Sequence, residues 1–363
     1  VNRPIPAPPE GRRDTALFRA FPDLASRVPW MPLAHAPTAV EPCDAIVDYL
    51  GRGGVFQKRD DRVSPLCGGN KVRRFEYLLA DAERKGAREL VTVGGLASTQ
   101  VMATVLFGRS QGFEVTAVLF DQPVTSFARK AILTSAGAGA HLVRGGGYTT
   151  TAWRTWRAYR RTERPYFIPP GASTPVANLG YVDAALELGE QVERGECPRP
   201  DFVVLPSGSG GTLAGLAIGF AILGWPTTVI GVRITDRIAC NRFTVGHLVR
   251  SCTRYLRRQS ERYRALTLPA VRYSLFQGAI GRGYGYPTED AIAAIPVIER
   301  LIGAPGEVTY SGKGLAGLRA VARAHPTSTI LYWHTLSSAP APPVGSPADV
   351  PDFARVFEGD VPV

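Results

Sequence analysis

The chain has 363 residues, 45% of them apolar, and a formal net charge of +11. That length suits two packed lobes better than one core, and the absence of an apolar run of 18 residues or more argues against a membrane span. Cys43, Cys67, Cys197, Cys240 and Cys252 form no CxxC pair and the histidines show no metal-ligand spacing, so neither a disulfide frame nor a metal site is expected, and a reducing cytoplasm fits.

The opening stretch "VNRPIPAPPEGRRDTALFRAFP" is Pro-rich and basic but lacks the apolar centre of a secretory signal. "GVFQK" (54–58) reads as a strand, and "CGGNK" leads into a helix in which Phe75, Leu78, Leu79 and Ala82 share one apolar face. Lys58, within "KRDD", is expected to pair with Asp60 or Asp61. "ELVTV" (89–93) runs into Gly94-Gly95 and a helix from about Ser98. "EVTAVLF" (114–120) precedes the helical "FARKAILTSAG". The short strands "HLV" (141–143) and "YFI" (166–168) flank the arginine-rich "WRTWRAYRRTER" (153–164). "DFVVLP" (201–206) leads into "SGSGGTLAGLAIGFAIL", "TTVIGVRI" (227–234) follows, and a second basic stretch, "TRYLRRQSERYR", spans 253–264. "KGLAGLRAVARA" (313–324) precedes "STILYW" (328–333), which ends beside His334, and a Pro/Ala/Ser-rich tail (337–351) is expected as a surface wrap.

Strands alternating with helices predict an α/β fold with parallel-rich twisted sheets covered on both faces. The two basic stretches, with aromatics interleaved, read as solvated helix faces in preference to a nucleic-acid surface, since no nucleic-acid fold motif accompanies them.

Three stretches carry chemistry. Ser207, Gly208, Ser209, Gly210, Gly211 and Thr212 join a strand to a helix start, where converging amides and the helix dipole suit a phosphate. The loop is neither a Walker loop nor a good dinucleotide fingerprint, because Leu213 replaces the third glycine. Ser98, Thr99 and Gln100 open another helix behind two glycines, a setting for a carboxylate or a simple N-cap. Lys71 is one of only five lysines and stands at a helix mouth with little charge around it, where desolvation would leave a nucleophilic amine. Together these point to pyridoxal phosphate acting on an amino acid.

The segments "KRDD…CGGNKVRRFEYLLADA", "TVGGLASTQ", "PSGSGGTLAGL", "GRGYGYPTEDAI" and "TYSGKGLAGL" come in an order that resembles the D-cysteine desulfhydrase and 1-aminocyclopropane-1-carboxylate (ACC) deaminase family from about Leu17 to Thr335. The resemblance implies the tryptophan-synthase-β fold, that is, fold type II of the pyridoxal-phosphate enzymes. It also implies a homodimer and a small lobe (74–182) inserted in a large cofactor-binding lobe (1–73 and 183–363). By resemblance, Lys71 is the Schiff-base lysine behind Asn70, residues Ser207 to Thr212 hold the cofactor phosphate, and Arg74 takes the place of a nearby lysine. Ser98, Thr99 and Gln100 would take the substrate carboxylate, with Tyr284 also meeting the substrate; Ser98 would act in catalysis as well, and Thr99 would stand beside the cofactor ring. Tyr284 and Tyr310 match two proton-transferring tyrosines, Ser311 would face the pyridine nitrogen, and Thr335 would border the substrate. Tyr286 is read as packing.

Ser311 and Thr335 match the desulfhydrase side of the family; ACC deaminases tend to have glutamate and leucine there. Thr99 stands where the family has asparagine, and Leu336-Ser337 where it has Gly-Gly. The leading expectation is a lyase that eliminates the β-substituent of an amino acid such as D-cysteine to give pyruvate and ammonia, with L-cysteate as an alternative substrate. A divergent biosynthetic enzyme performing β-replacement or rearrangement, ACC-type ring opening, and a non-catalytic cofactor-binding protein are the competing readings.

Overall fold

The computed structural model describes residues 14–340 and 344–359; most of the Pro-rich opening stretch lies outside them. Among the described residues ten strands form: β1 (Val40–Pro42), β2 (Val55–Lys58), β3 (Glu89–Gly95), β4 (Glu114–Phe120), β5 (His141–Gly146), β6 (Pro165–Ile168), β7 (Phe202–Ser207), β8 (Thr228–Arg233), β9 (Tyr273–Phe276) and β10 (Ile330–Trp333). They make two sheets, one of six strands in the order β1-β2-β10-β7-β8-β9 and one of four in the order β5-β4-β3-β6. Every pairing is parallel except β1 with β2. Helices cover both faces of such sheets, which is why β7 and β10 read as unbroken apolar runs rather than alternating ones. The four-stranded sheet is built from residues 89–168 and the six-stranded one from segments on either side of it.

Three helices knit the sheets together through glycines. The helix Pro175–Glu193 lies between the helices Val72–Arg84 and Gly211–Ile222. A Cβ on Gly180 would stand 2.0 Å from the Arg73 carbonyl oxygen, and one on Gly215 would stand 2.7 Å from that of Asn178. Only glycine lets backbones approach this closely. The mouths of the two outer helices, carrying Lys71 and the Ser/Gly loop, are thereby locked to one support.

The Val72–Arg84 helix shows the expected buried face of Phe75, Leu78, Leu79 and Ala82, but its charged side is buried too. Arg73 pairs with Asp60 at 3.0 Å and with Glu187 at 2.8 Å. Glu76 accepts the amides of Leu33 and Ala34, both at 3.1 Å. Lys58 departs from the pairing expected within its own run: its amine meets Glu187 at 2.6 Å, with Gln191 and the Thr38 carbonyl. Asp60 is instead claimed by Arg73, Tyr181, Trp333 and Thr38, and Asp61 by Arg59. The strand ends at Lys58 and the chain turns at Asp60–Arg62, so Asp60 faces Arg73 and Tyr181 while the Lys58 amine reaches Glu187 on the helix Pro175–Glu193.

Residues 344–359 follow the six-stranded sheet in sequence but pack on the helix Ser126–Gly137 beside the four-stranded one. Gly345 N–H donates to Leu133 O at 2.9 Å, Arg129 Nε donates to Val356 O at 2.9 Å, and Val350, Phe353 and Val356 are buried. All five cysteines are free and buried, and no helix among the described residues is long and apolar enough to cross a membrane.

Candidate active site

The carboxyl ends of β3 and β7 face a shared cavity of about 980 Å³, the position at which parallel sheets bind ligands. Lys71, Asn70, Arg74, Ser98, Gln100, Ser207 to Thr212, Tyr284 and Tyr310 all line it.

Lys71 caps the Val72–Arg84 helix, and its amine donates to Asn70 Oδ1 at 2.7 Å. Asn70 Nδ2 donates in turn to Thr212 Oγ1 at 3.0 Å, tying the lysine to the opposite loop. Burial, reinforced by the Arg74 guanidinium, holds the Lys71 amine well below the ordinary lysine value. The lead-in is tight: Gly69 has φ +85°, and a Cβ there would lie 2.5 Å from the Thr335 carbonyl oxygen.

The Ser/Gly loop forms a cradle. Gly210, at φ +81°, turns the chain into the helix Gly211–Ile222, whose first amides point into the cavity. A Cβ on Gly211 would come within 2.6 Å of Arg74 Nη2 and Asn178 Oδ1. Arg74 donates to Gly171 O at 2.6 Å, Ser173 Oγ at 3.1 Å and Thr212 Oγ1 at 2.8 Å, while its Nε and both Asn178 amide atoms are buried without a hydrogen-bond partner. Burial lowers Arg74 to about 10, with only the Tyr181 and Tyr310 hydroxyls opposing. A buried guanidinium lacking a carboxylate, beside orphaned amide donors and a helix N-terminus, fits the phosphate of pyridoxal phosphate.

On the four-stranded side, Ser98 N-caps the helix Thr99–Ser110, its Oγ accepting Val101 N–H at 3.3 Å. Gln100 is fully engaged: its Nε2 donates to Thr92 Oγ1 at 2.8 Å and Thr104 Oγ1 at 2.9 Å, and its Oε1 accepts Gly171 N–H at 3.3 Å. The two tyrosines stand with hydroxyls 3.4 Å apart and rings nearly perpendicular. Burial pushes Tyr310 up to about 12 and Tyr284 well above the ordinary tyrosine value, so both hold their protons at neutral pH.

Glu307 positions Tyr310: its carboxylate accepts the amides of Thr309 at 2.7 Å and Ser311 at 2.8 Å, and that of Tyr310 between them. Lys313 positions Tyr284, donating to Ile280 O at 2.8 Å and Gly283 O at 3.0 Å. Thr99, Ser311 and Thr335 do not line the cavity. Ser311 Oγ is occupied within the Glu307 turn, donating to Glu307 O at 2.8 Å. Leu336 and Ser337 do not crowd it either; Ser337 Oγ accepts Gly68 N–H at 2.7 Å and so braces the lysine lead-in. Tyr286 lies under the Arg282 guanidinium at 5.0 Å. His334, Asn178, Ser173, Glu307 and Asp236 show how much the sequence left unassigned: His334 is buried against Gln57 outside the cavity, and the other four had no motif to mark them.

A family model described as pyridoxal-phosphate dependent enzyme matches residues 31–335. A D-cysteine desulfhydrase of Klebsiella pneumoniae subsp. pneumoniae is 33% identical over 330 residues, covering 87% of this chain and 96% of that protein. A second, from another Klebsiella pneumoniae strain, is 32% identical with the same coverage. Among solved structures, an ACC deaminase homologue aligns with TM-score 0.73 and 26% identity over 89% of this chain and 95% of its own. A fungal L-serine ammonia-lyase from Rhizomucor miehei aligns with TM-score 0.58 and 17% identity over 90% of this chain and 99% of its own, a likeness of fold.

Proposed function

The chain belongs to the pyridoxal-phosphate dependent enzyme family, and on that premise we propose that it is a lyase eliminating the β-substituent of an amino acid, as the D-cysteine desulfhydrases it resembles do with D-cysteine. The observation that carries the reading is the buried Lys71 amine, its basicity lowered by burial, sharing one cavity with an anion cradle and a pair of protonated tyrosines.

Arg74, Thr212 and the Ser207–Gly211 backbone would hold the cofactor phosphate, and Lys71 would carry the cofactor. When bound, pyridoxal phosphate supplies the electron sink for a carbanion at the substrate α-carbon. The first turn behind Ser98 binds the substrate carboxylate at a helix N-terminus. Lys71 Nζ, its pKa lowered by burial, takes the α-proton. Tyr310 and Tyr284, held as phenols, deliver a proton to the departing group. Overall, substrate and water give pyruvate, ammonia and the protonated leaving group, with no change of oxidation state. Thr99 and Gln100 support the carboxylate site from behind, and Ser311 and Thr335 support the Tyr310 turn and the lysine lead-in; Ser311 would approach the pyridine nitrogen only by leaving Glu307.

In this reading residues 74–182 form the lobe that closes on the carboxylate and the remainder the cofactor lobe. A cytoplasmic homodimer belongs to the same reading, and five free, buried cysteines suit a reducing compartment. The test is absorption of the purified protein with pyridoxal phosphate, before and after D-cysteine. A cofactor band lost in Lys71→Ala and pyruvate released by the wild type are expected. A band without pyruvate from any β-substituted amino acid would reject the lyase.

A further inference from the structure

The cavity does not stop at the reacting groups. Phe120 ends β4, and Tyr148 begins the helix Tyr148–Arg161 just after β5, both at the sheet edge that also carries Ser98. Trp156 and Tyr159 continue the same helix face at eight and eleven residues beyond Tyr148, and Phe167 of β6 meets them. The rings are set in pairs: Phe120 and Tyr148 have centroids 5.4 Å apart, and Tyr159 and Phe167 stand edge to face at 6.5 Å. Yet they face open space, Tyr148 71% and Trp156 60% exposed, beside helix-mates Thr151 and Thr155 that are buried. At 1.5 Å per residue the stripe runs about 16 Å from Tyr148 to Tyr159. A cysteine side chain, two bonds long from the α-carbon, cannot use it. Large exposed apolar surface continuous with a catalytic cavity marks a ligand contact.

Charge narrows the ligand. Arg154, Arg157, Arg160 and Arg161 ride the same helix and disfavour a cation, while the cavity wall along the stripe (Thr151, Thr155 and the rings) offers no charged side chain to pair with an anion. Resting on the lyase reading above, we propose that the substrate is an amino acid whose β-substituent carries an uncharged aromatic ring, seated on the Tyr148–Trp156–Tyr159 stripe. For S-benzyl-cysteine the Cβ–S bond would break with its electron pair going to sulfur. Water and substrate would then yield phenylmethanethiol, pyruvate and ammonia.

The experiment compares the holoenzyme on S-benzyl-cysteine and cysteine, in both enantiomers, by pyruvate release. Wild type should favour the benzyl substrate by about tenfold or more in kcat/KM. The ratio should fall about tenfold in Trp156→Ala and be restored in Trp156→Phe. A second readout needs no turnover: calorimetric titration of the protein with phenylalanine and with alanine should show tighter phenylalanine binding, a preference erased by Tyr159→Ala. If no amino acid yields pyruvate but the phenylalanine preference stands, the lyase reading falls and the aromatic subsite survives. If cysteine yields pyruvate, the benzyl ratio is near unity and Trp156→Ala leaves it there, the subsite is overturned and the lyase stands. Trp156→Ala changing the sedimentation of the protein while leaving both substrate preferences intact would also overturn it, in favour of an interface between copies.

Discussion

Replacing Arg74 by glutamine should separate recognition of the cofactor's phosphate from recognition of the rest of it. The guanidinium is buried, holds Gly171 O, Ser173 Oγ and Thr212 Oγ1, and leaves its Nε without a partner. A charge-assisted hydrogen bond to phosphate is worth about 1.5–3 kcal/mol. That converts to a loss of about 10- to 150-fold in affinity. The assay is equilibrium titration of cofactor-free protein with pyridoxal phosphate and, in parallel, with pyridoxal. The Kd for the phosphorylated form should rise by that factor relative to the Kd for pyridoxal, which feels Arg74 only through the neighbouring Lys71 amine. The cofactor-free variant should also be no less stable than wild type, since a buried cation with no carboxylate beside it costs more than it returns. Equal losses for both aldehydes would mean general damage to the pocket. Wild-type affinity for pyridoxal phosphate would refute the cradle altogether.

Burial holds the His334 imidazole down to about 4, against the Asp61 carboxylate, which pulls it up. The unfolded chain therefore takes a proton that the folded one refuses, and stability is lost as pH falls from about 6.5 toward 4. Denaturation of wild type at pH 7 and 4.5 should show roughly 2–3 kcal/mol more acid loss than His334→Gln; equal losses would sink the assignment. Tyr310→Phe should lower kcat by about 100-fold or more with pyridoxal phosphate affinity within about threefold, and an unchanged kcat would remove the tyrosine from proton transfer. Gly180→Ala forces a Cβ to 2.0 Å from Arg73 O, so about 3 kcal/mol of stability and the cofactor site should go together, read as a fall in unfolding temperature and in bound cofactor. A wild-type unfolding temperature would show that the helices can part.

The parallel-rich fold and the Ser/Gly turn into the helix Gly211–Ile222 were legible because each is local. Apolar strands, glycine turns and helix starts leave their mark within a dozen residues. Lys71 stood out because its neighbours in sequence, Gly68 to Asn70, are also its neighbours in space. Long-range partners were not legible. Nothing near Lys58 announces Glu187, 129 residues away, and nothing near Tyr310 distinguishes Glu307 as the carboxylate that shapes its turn. The short edge strands β1 and β9 escaped notice for a different reason: three or four residues at a sheet edge, one of them proline in β1, carry little periodicity. The basic helix Tyr148–Arg161 was read as a solvated face, and Arg157, Arg160 and Arg161 are exposed on it, but Tyr148, Trp156 and Tyr159 line the cavity from its other side.

The segment 344–359 has a further bearing on how long a bound molecule stays. It meets the helix Ser126–Gly137 through Leu133 and Arg129, with Phe353 buried, so a stretch of sequence that follows the six-stranded sheet is anchored beside the four-stranded one. The segment acts as a leash, and the free energy of its local detachment joins the work of widening the mouth. A substitution that loosens this anchor, such as Phe353→Ala, should therefore change the off-rate of a bound molecule more than the rate of the chemical step, read by stopped-flow release against single-turnover pyruvate formation.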